Sequence, residues 1–97
     1  WPGFGDNMRV LKWIVDRCEG LGGAEESPIG IVPRAEDLDL DGLEIVSPER
    51  TRELLAVKPE EWAKELKGQN EFFKTLEPYL PSELLEEVQK LGQRLSR

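Results

Sequence analysis

The spacing of proline and glycine constrains this chain more than any other feature. Seven prolines and nine glycines cut its 97 residues into pieces no longer than one helix each. A proline is tolerated in the first turn of a helix but not in its interior, and a glycine commonly ends one. From Asn7, the residues Met8, Leu11, Val15 and Cys18 recur at helical spacing, and Val10 and Ile14 widen that apolar face. Asp6 or Asn7 is placed to cap this helix and Gly20 to end it. Four glycines and a proline in GLGGAEESPIG mark an exposed connection, with a short extended piece from Ile29 to Val32 closed by Pro33. The acidic stretch AEDLDLDGLEI reads as turns. Ser47 followed by Pro48 is a helix-start signature, and that helix is expected to turn Leu54 and Leu55 inward and stop near Lys58. Pro59 opens another, with Trp62, Leu66, Phe73 and Leu76 as its stripe and a weak point at Gly68. After Pro78 and Pro81, a last helix carries Leu84, Val88, Leu91 and Leu95. The fold expected is mainly α, about four helices with loops and at most one short extended piece.

Function classes fall away quickly. A formal net charge of −7, with no cluster of Lys or Arg, argues against an electrostatic grip on nucleic acid or an anionic membrane. No apolar run approaches the roughly 20 residues that span a bilayer. The single Cys18 excludes an internal disulfide and fits a reducing compartment, so a cytoplasmic location is expected. There is no His, which removes the commonest general base and a common metal ligand. No catalytic residue and no metal ligand is therefore assigned in this chain. The first residue is Trp rather than Met, and the expectation is that the chain begins inside a longer one.

Two motifs resemble binding loops without completing them. Asp37, Asp39, Asp41 and Gly42 match the first half of a calcium loop, but the closing bidentate Glu six residues after the Gly is replaced by Pro48. Gly20, Gly22 and Gly23 are followed by Ala24, Glu25 and Glu26, whose carboxylates would repel a phosphate. Cys18, on the apolar side of its helix, is expected to be a buried small hydrophobe rather than a nucleophile.

The stretch WPGFGDN carries more. Gly3 and Gly5 flank Phe4, so the backbone there can bend and approach a ligand closely. An aromatic face on such a loop can stack on a nucleobase, and Asn7 offers an amide able to read a base edge. Taken alone, the stretch is better accounted for by local packing of Trp1 and Phe4. It does not stand alone: WPGFGDN with MRVLKWIVDRCEG, then SPIGIVP, DLDLDGL, ELLAVKPEEW and LPSELLEEV, in that order, resembles GTP-dependent phosphoenolpyruvate carboxykinase over essentially the whole chain. Asp6 stands where that family usually has Glu, and Ile31 where an aromatic is common.

The resemblance implies a C-terminal segment of the nucleotide-binding domain of an α/β enzyme, with residues 1–7 as a guanine-binding loop and 8–97 as a helical remainder. It implies that Phe4 packs against guanine and Asn7 hydrogen-bonds its edge, with Trp1, Gly3 and Gly5 shaping the pocket. The family's reaction turns oxaloacetate and GTP into phosphoenolpyruvate, GDP and carbon dioxide with Mn²⁺ or Mg²⁺, a step of gluconeogenesis. The phosphate loop, the metal ligands and the reactive Cys of that family lie upstream of Trp1. The partners implied are GTP or GDP and the remainder of a monomeric parent chain. By itself the segment is expected to be inert. The competing reading is a small acidic α-helical protein-interaction module with no nucleotide role.

Overall fold

The computed structural model describes residues 1–97, and they form two compact units, Trp1–Ala56 and Val57–Arg97. The architecture is mainly α, four helices with one small antiparallel hairpin.

In the first unit a 3₁₀ turn, Phe4–Asp6, runs directly into α1, Asn7–Cys18. Neither Asp6 nor Asn7 caps that helix with its side chain, contrary to expectation. Both are engaged elsewhere: the Asp6 carboxylate accepts from Arg9, and the Asn7 carbonyl accepts from Trp1. At the other end Gly20, at φ 77°, closes a Schellman motif in which Gly20 N–H donates to Arg17 O and Leu21 N–H to Asp16 O.

The face that α1 turns inward is not the apolar one read from periodicity. Arg9, Val10, Trp13 and Asp16 are half-buried, whereas Met8, Leu11, Ile14 and Val15 are exposed. Cys18 is exposed as well, which corrects the expectation of a buried thiol. Directional bonds account for the orientation. The Arg9 guanidinium donates to Asp39 O at 2.8 Å and Asp41 O at 2.9 Å, and the Trp13 indole donates to Gly23 O at 2.8 Å.

The glycine-rich connection holds more structure than expected. Strand β1, Glu25–Ser27, pairs with β2, Gly30–Val32, across a turn at Pro28 and Ile29, with Glu26 opposite Ile31. A 3₁₀ turn at Ala35–Asp37 follows, and α2, Pro48–Leu55, packs against it. Ser47 caps α2 as expected, its Oγ accepting from Arg50 N–H at 3.2 Å. The inward residue of α2 is Thr51, only 1% exposed, with its hydroxyl donating to Ser47 O. Leu54 is exposed, and the helix ends at Leu55 rather than near Lys58. Thr51, Ala35 and Leu38 make a core of three buried side chains.

In the second unit α3, Pro59–Leu76, runs unbroken through Gly68, and it pairs with α4, Ser82–Leu95. Val88 is buried, and Leu66, Leu91 and Leu95 are half-buried. An added Cβ at Gly92 would lie 3.2 Å from Leu66 Cδ2, so this glycine lets α4 approach α3. Leu76 and Leu84, read as part of the stripes, stay exposed. No helix is long and apolar enough to cross a membrane.

Candidate functional site

The residues singled out at the start of the chain line a cavity of about 510 Å³ on the first unit. Its walls are Trp1, Phe4, Gly5, Asn7, Met8, Val10 and Leu11. Local geometry explains the assembly. Gly3, at φ 138°, takes a backbone conformation that side chains rarely tolerate, and its carbonyl accepts from Asp6 N–H at 3.1 Å. That closes the 3₁₀ turn and throws Phe4 outward. Phe4 is 92% exposed, so nothing in the chain covers its ring.

The structure thus brings together Trp1, Phe4, Gly5 and Asn7. Gly3 is not among the lining residues and acts through the backbone instead. Gly5 has no unusual φ, and an added Cβ there would meet nothing within 4 Å. Its contribution is open space on the cavity wall rather than a special bend.

Sequence reasoning placed Met8, Val10 and Leu11 on the apolar face of the helix without a functional role, and they complete this wall. The signal that finds Met8 and Leu11 is the continuation of one stripe, since Phe4, Met8, Leu11, Val15 and Cys18 are spaced by four, three, four and three. The 3₁₀ turn passes into α1 without a break, so the exposed ring of Phe4 and the apolar side of the helix share one surface.

Only one polar side chain of the wall carries hydrogen-bonding groups beside Phe4. Asn7 Oδ1 accepts from Trp1 Nε1 at 2.9 Å, and no acceptor in the chain takes the Nδ2 protons. Behind the cavity, Arg9 is the brace. Its Nε donates to Asp6 Oδ1 at 3.0 Å while its NH1 donates to the two carbonyls of the acidic turn, tying the root of the loop to residues 39–41.

The acidic residues are likewise committed. Both Asp37 oxygens accept from Arg34, and this pairing holds the carboxyl below its ordinary range, chiefly through the side-chain bond. Asp39 Oδ1 accepts from Asp41 N–H at 3.1 Å, and the carbonyls of both serve Arg9. No three His, Cys, Asp or Glu side chains are grouped to hold a metal ion. The glycines after α1 have their own engagements, with Gly23 O accepting from Trp13 and Gly22 O from Arg17.

Comparison with known proteins fits this arrangement into a family. Residues 1–94 match the phosphoenolpyruvate carboxykinase C-terminal P-loop domain. The chain is 47% identical over 95 residues to the phosphoenolpyruvate carboxykinase (GTP) of Corynebacterium efficiens, covering 98% of this chain and 15% of that protein. For the enzyme of the same name from Renibacterium salmoninarum the identity is 48% over 95 residues, covering 98% and 16%. For that of Corynebacterium glutamicum strain R it is 45% over 96 residues, covering 99% and 16%. The chain therefore spans about one sixth of the length of these relatives. With the match running across nearly every residue, cavity and helices alike, the chain belongs to the GTP-dependent phosphoenolpyruvate carboxykinase family, within its C-terminal P-loop domain.

Proposed function

We propose that this chain supplies one wall of the guanine pocket in an enzyme that converts oxaloacetate and GTP into phosphoenolpyruvate, GDP and carbon dioxide. The observation that carries the reading is the bare Phe4 ring beside the Asn7 amide on one apolar cavity. A base stacked on Phe4 would place its edge toward Asn7, combining a sequence-tolerant stacking term with a group that discriminates. The exposed stripe that continues along α1 is covered by the remainder of the parent chain on this reading, since an apolar face of that length is seldom left to solvent. The runner-up, an interaction module without nucleotide, is disfavoured by the kinship with carboxykinases.

Catalysis lies elsewhere in the enzyme. Phosphoryl transfer needs cations to neutralise phosphate charge, and the family's Mn²⁺ or Mg²⁺ does not fit the donors present here. The Asp37 oxygens are taken by Arg34, and an Asp39 oxygen is taken by Asp41. No step is routed through a metal in this segment, and the 97 residues alone are expected to form no phosphoenolpyruvate. The complete enzyme is proposed to act as a cytoplasmic monomer in gluconeogenesis.

Steady-state kinetics of the complete enzyme with GTP, ITP and ATP test the site. Phe4→Ala should weaken GTP by about 1–3 kcal/mol without creating a preference for ATP, because stacking tolerates any base. Asn7→Ala should instead narrow the gap between GTP and ATP, with little effect on oxaloacetate. Wild-type affinity and base preference in both variants would reduce the loop to packing.

A further inference from the structure

The contact between Trp1 and Asn7 has a chemical direction. An indole N–H only donates, so the amide atom it meets at 2.9 Å is the carbonyl oxygen. This solvent-exposed bond favours that orientation of the amide over its half-turned form. With Oδ1 committed to the indole, the group left for a ligand is Nδ2, a pure donor. Both residues line the same cavity, beside the exposed Phe4 ring.

A donor held in place selects its partner by sign. The six position of guanine or hypoxanthine carries a carbonyl oxygen, an acceptor, whereas adenine carries an amino group there, a donor. Against a locked Nδ2 the oxo base is paired, and the amino base sets donor against donor with both groups removed from water. An amide free to rotate would lose this power, since a half turn about its last bond exchanges oxygen for nitrogen. It could then accept from adenine as readily as it donates to guanine.

We propose that Trp1 is a specificity-determining residue of the nucleotide pocket: its indole N–H holds Asn7 with the amide nitrogen outward, so that the pocket takes six-oxo purine nucleotides and rejects six-amino ones. This rests on the guanine reading of the site. Trp1 here is a positioning residue that acts through Asn7, and its shape as a wall is a separate contribution.

The test is carried out on the complete carboxykinase. Trp1→Phe keeps an aromatic wall and removes the N–H donor. The ratio of kcat/KM for GTP over ATP should fall by about tenfold, with ITP following GTP because it shares the six-oxo group, and with the change residing in KM. Asn7→Asp is the complement: its oxygens still accept from the Trp1 indole, but no donor remains, so the oxo preference should be lost although the indole bond is kept. That variant tests the same point should Trp1→Phe fold poorly. An equal loss for GTP, ITP and ATP in Trp1→Phe would overturn the proposal and leave Trp1 as packing. So would an unchanged ratio in Trp1→Phe alongside a narrowed one in Asn7→Ala, which would leave the guanine reading standing. An unchanged ratio in every variant would instead remove the guanine reading, and this proposal with it. An Asn7→Asp enzyme that still prefers GTP and ITP would show that the carbonyl oxygen faces the base.

Discussion

The two long sides of α1 are held in opposite ways. One side, through Arg9 and Trp13, is fixed by bonds to particular carbonyls at Asp39, Asp41 and Gly23. The other, running from Phe4 through Met8, Leu11 and Val15 to Cys18, has no partner within the chain and stays open. Hydrophobic burial is non-directional and scales with area, so the apolar side would win wherever a large apolar surface was available to cover it. The first unit offers a core of only three buried side chains. Directed hydrogen bonds decide the orientation instead, and the apolar side is left over for the cavity and its extension.

The strongest way to break this contrast is to remove the brace. Arg9→Ala deletes one bond to the Asp6 carboxylate and two to backbone carbonyls, all within 3.0 Å. Bonds to a charged donor contribute about 1.5–3 kcal/mol each when buried, and this side chain is partly exposed, so the first unit should lose about 2–4 kcal/mol in total. Hydrogen exchange of α1 amides in the 97-residue chain would register it. Protection equal to that of the parent sequence would mean that the apolar side, not the polar one, anchors the helix.

A step smaller is Gly23→Ala. The Trp13 indole reaches the carbonyl of Gly23, and a Cβ at that residue would overlap the Asp37 carboxylate and crowd the Arg34 guanidinium. The Arg34–Asp37 pair would have to move, at a cost of about 1–3 kcal/mol. Loss of exchange protection across residues 23–37, with α3 and α4 unaffected, is the expected pattern. An unchanged profile would show that this side of α1 has slack in it.

How far these contacts were legible beforehand differs from residue to residue. Ser47 and Pro48 announced α2, and Gly20 the end of α1, because caps and stops are written within a few neighbouring residues. Strand β1 was not legible, since Glu25–Ser27 has neither alternation nor a branched side chain and forms only by pairing with Gly30–Val32. Periodicity found the apolar side of α1 correctly but said nothing about whether it is covered. That depends on Arg9 finding carbonyls 30 and 32 residues away. For the site, Phe4 stood out through the flanking glycines and Asn7 through its amide, while guanine as the ligand came only from the resemblance and stays a proposal. The orientation of the Asn7 amide was not legible at all, because it is set by a contact with Trp1 across the loop.

Acid offers a gentler probe of the packed side. The Asp37 carboxyl lies below its ordinary value of 3.8, first because the Arg34 side chain donates to it and next because the Arg34 backbone N–H does. A lowered value in the folded state means that folding favours the ionised form. The stabilisation is therefore fully present above 3.8 and is lost as pH falls through the lower folded value. Exchange protection near residues 34–37 should hold level from neutral pH down to about pH 4 and decline below it. Asp37→Asn should flatten that decline. A fall between pH 7 and 5 would instead point to a group other than this carboxylate.

The smallest perturbation sharpens the open side. Cys18 is the only thiol of these 97 residues and lies at the end of the exposed stripe, so labelling read at this residue by peptide mass spectrometry reports on cover without any substitution. A thiol in contact with water reacts with a disulfide reagent in proportion to its thiolate fraction, and a covered one reacts only when its surroundings open. In the 97-residue chain Cys18 should be labelled readily, without any opening of the structure. In the complete carboxykinase the same thiol should be slowed by about tenfold or more if the remainder of the chain lies over this side of α1. Adding GTP should change the rate little, because the cavity residues end at Leu11, two helical turns before Cys18. Equal rates in the two chains would mean that the stripe stays in water in the assembled enzyme. The exposure of Met8, Leu11 and Val15 would then need an explanation other than the missing cover of a parent chain.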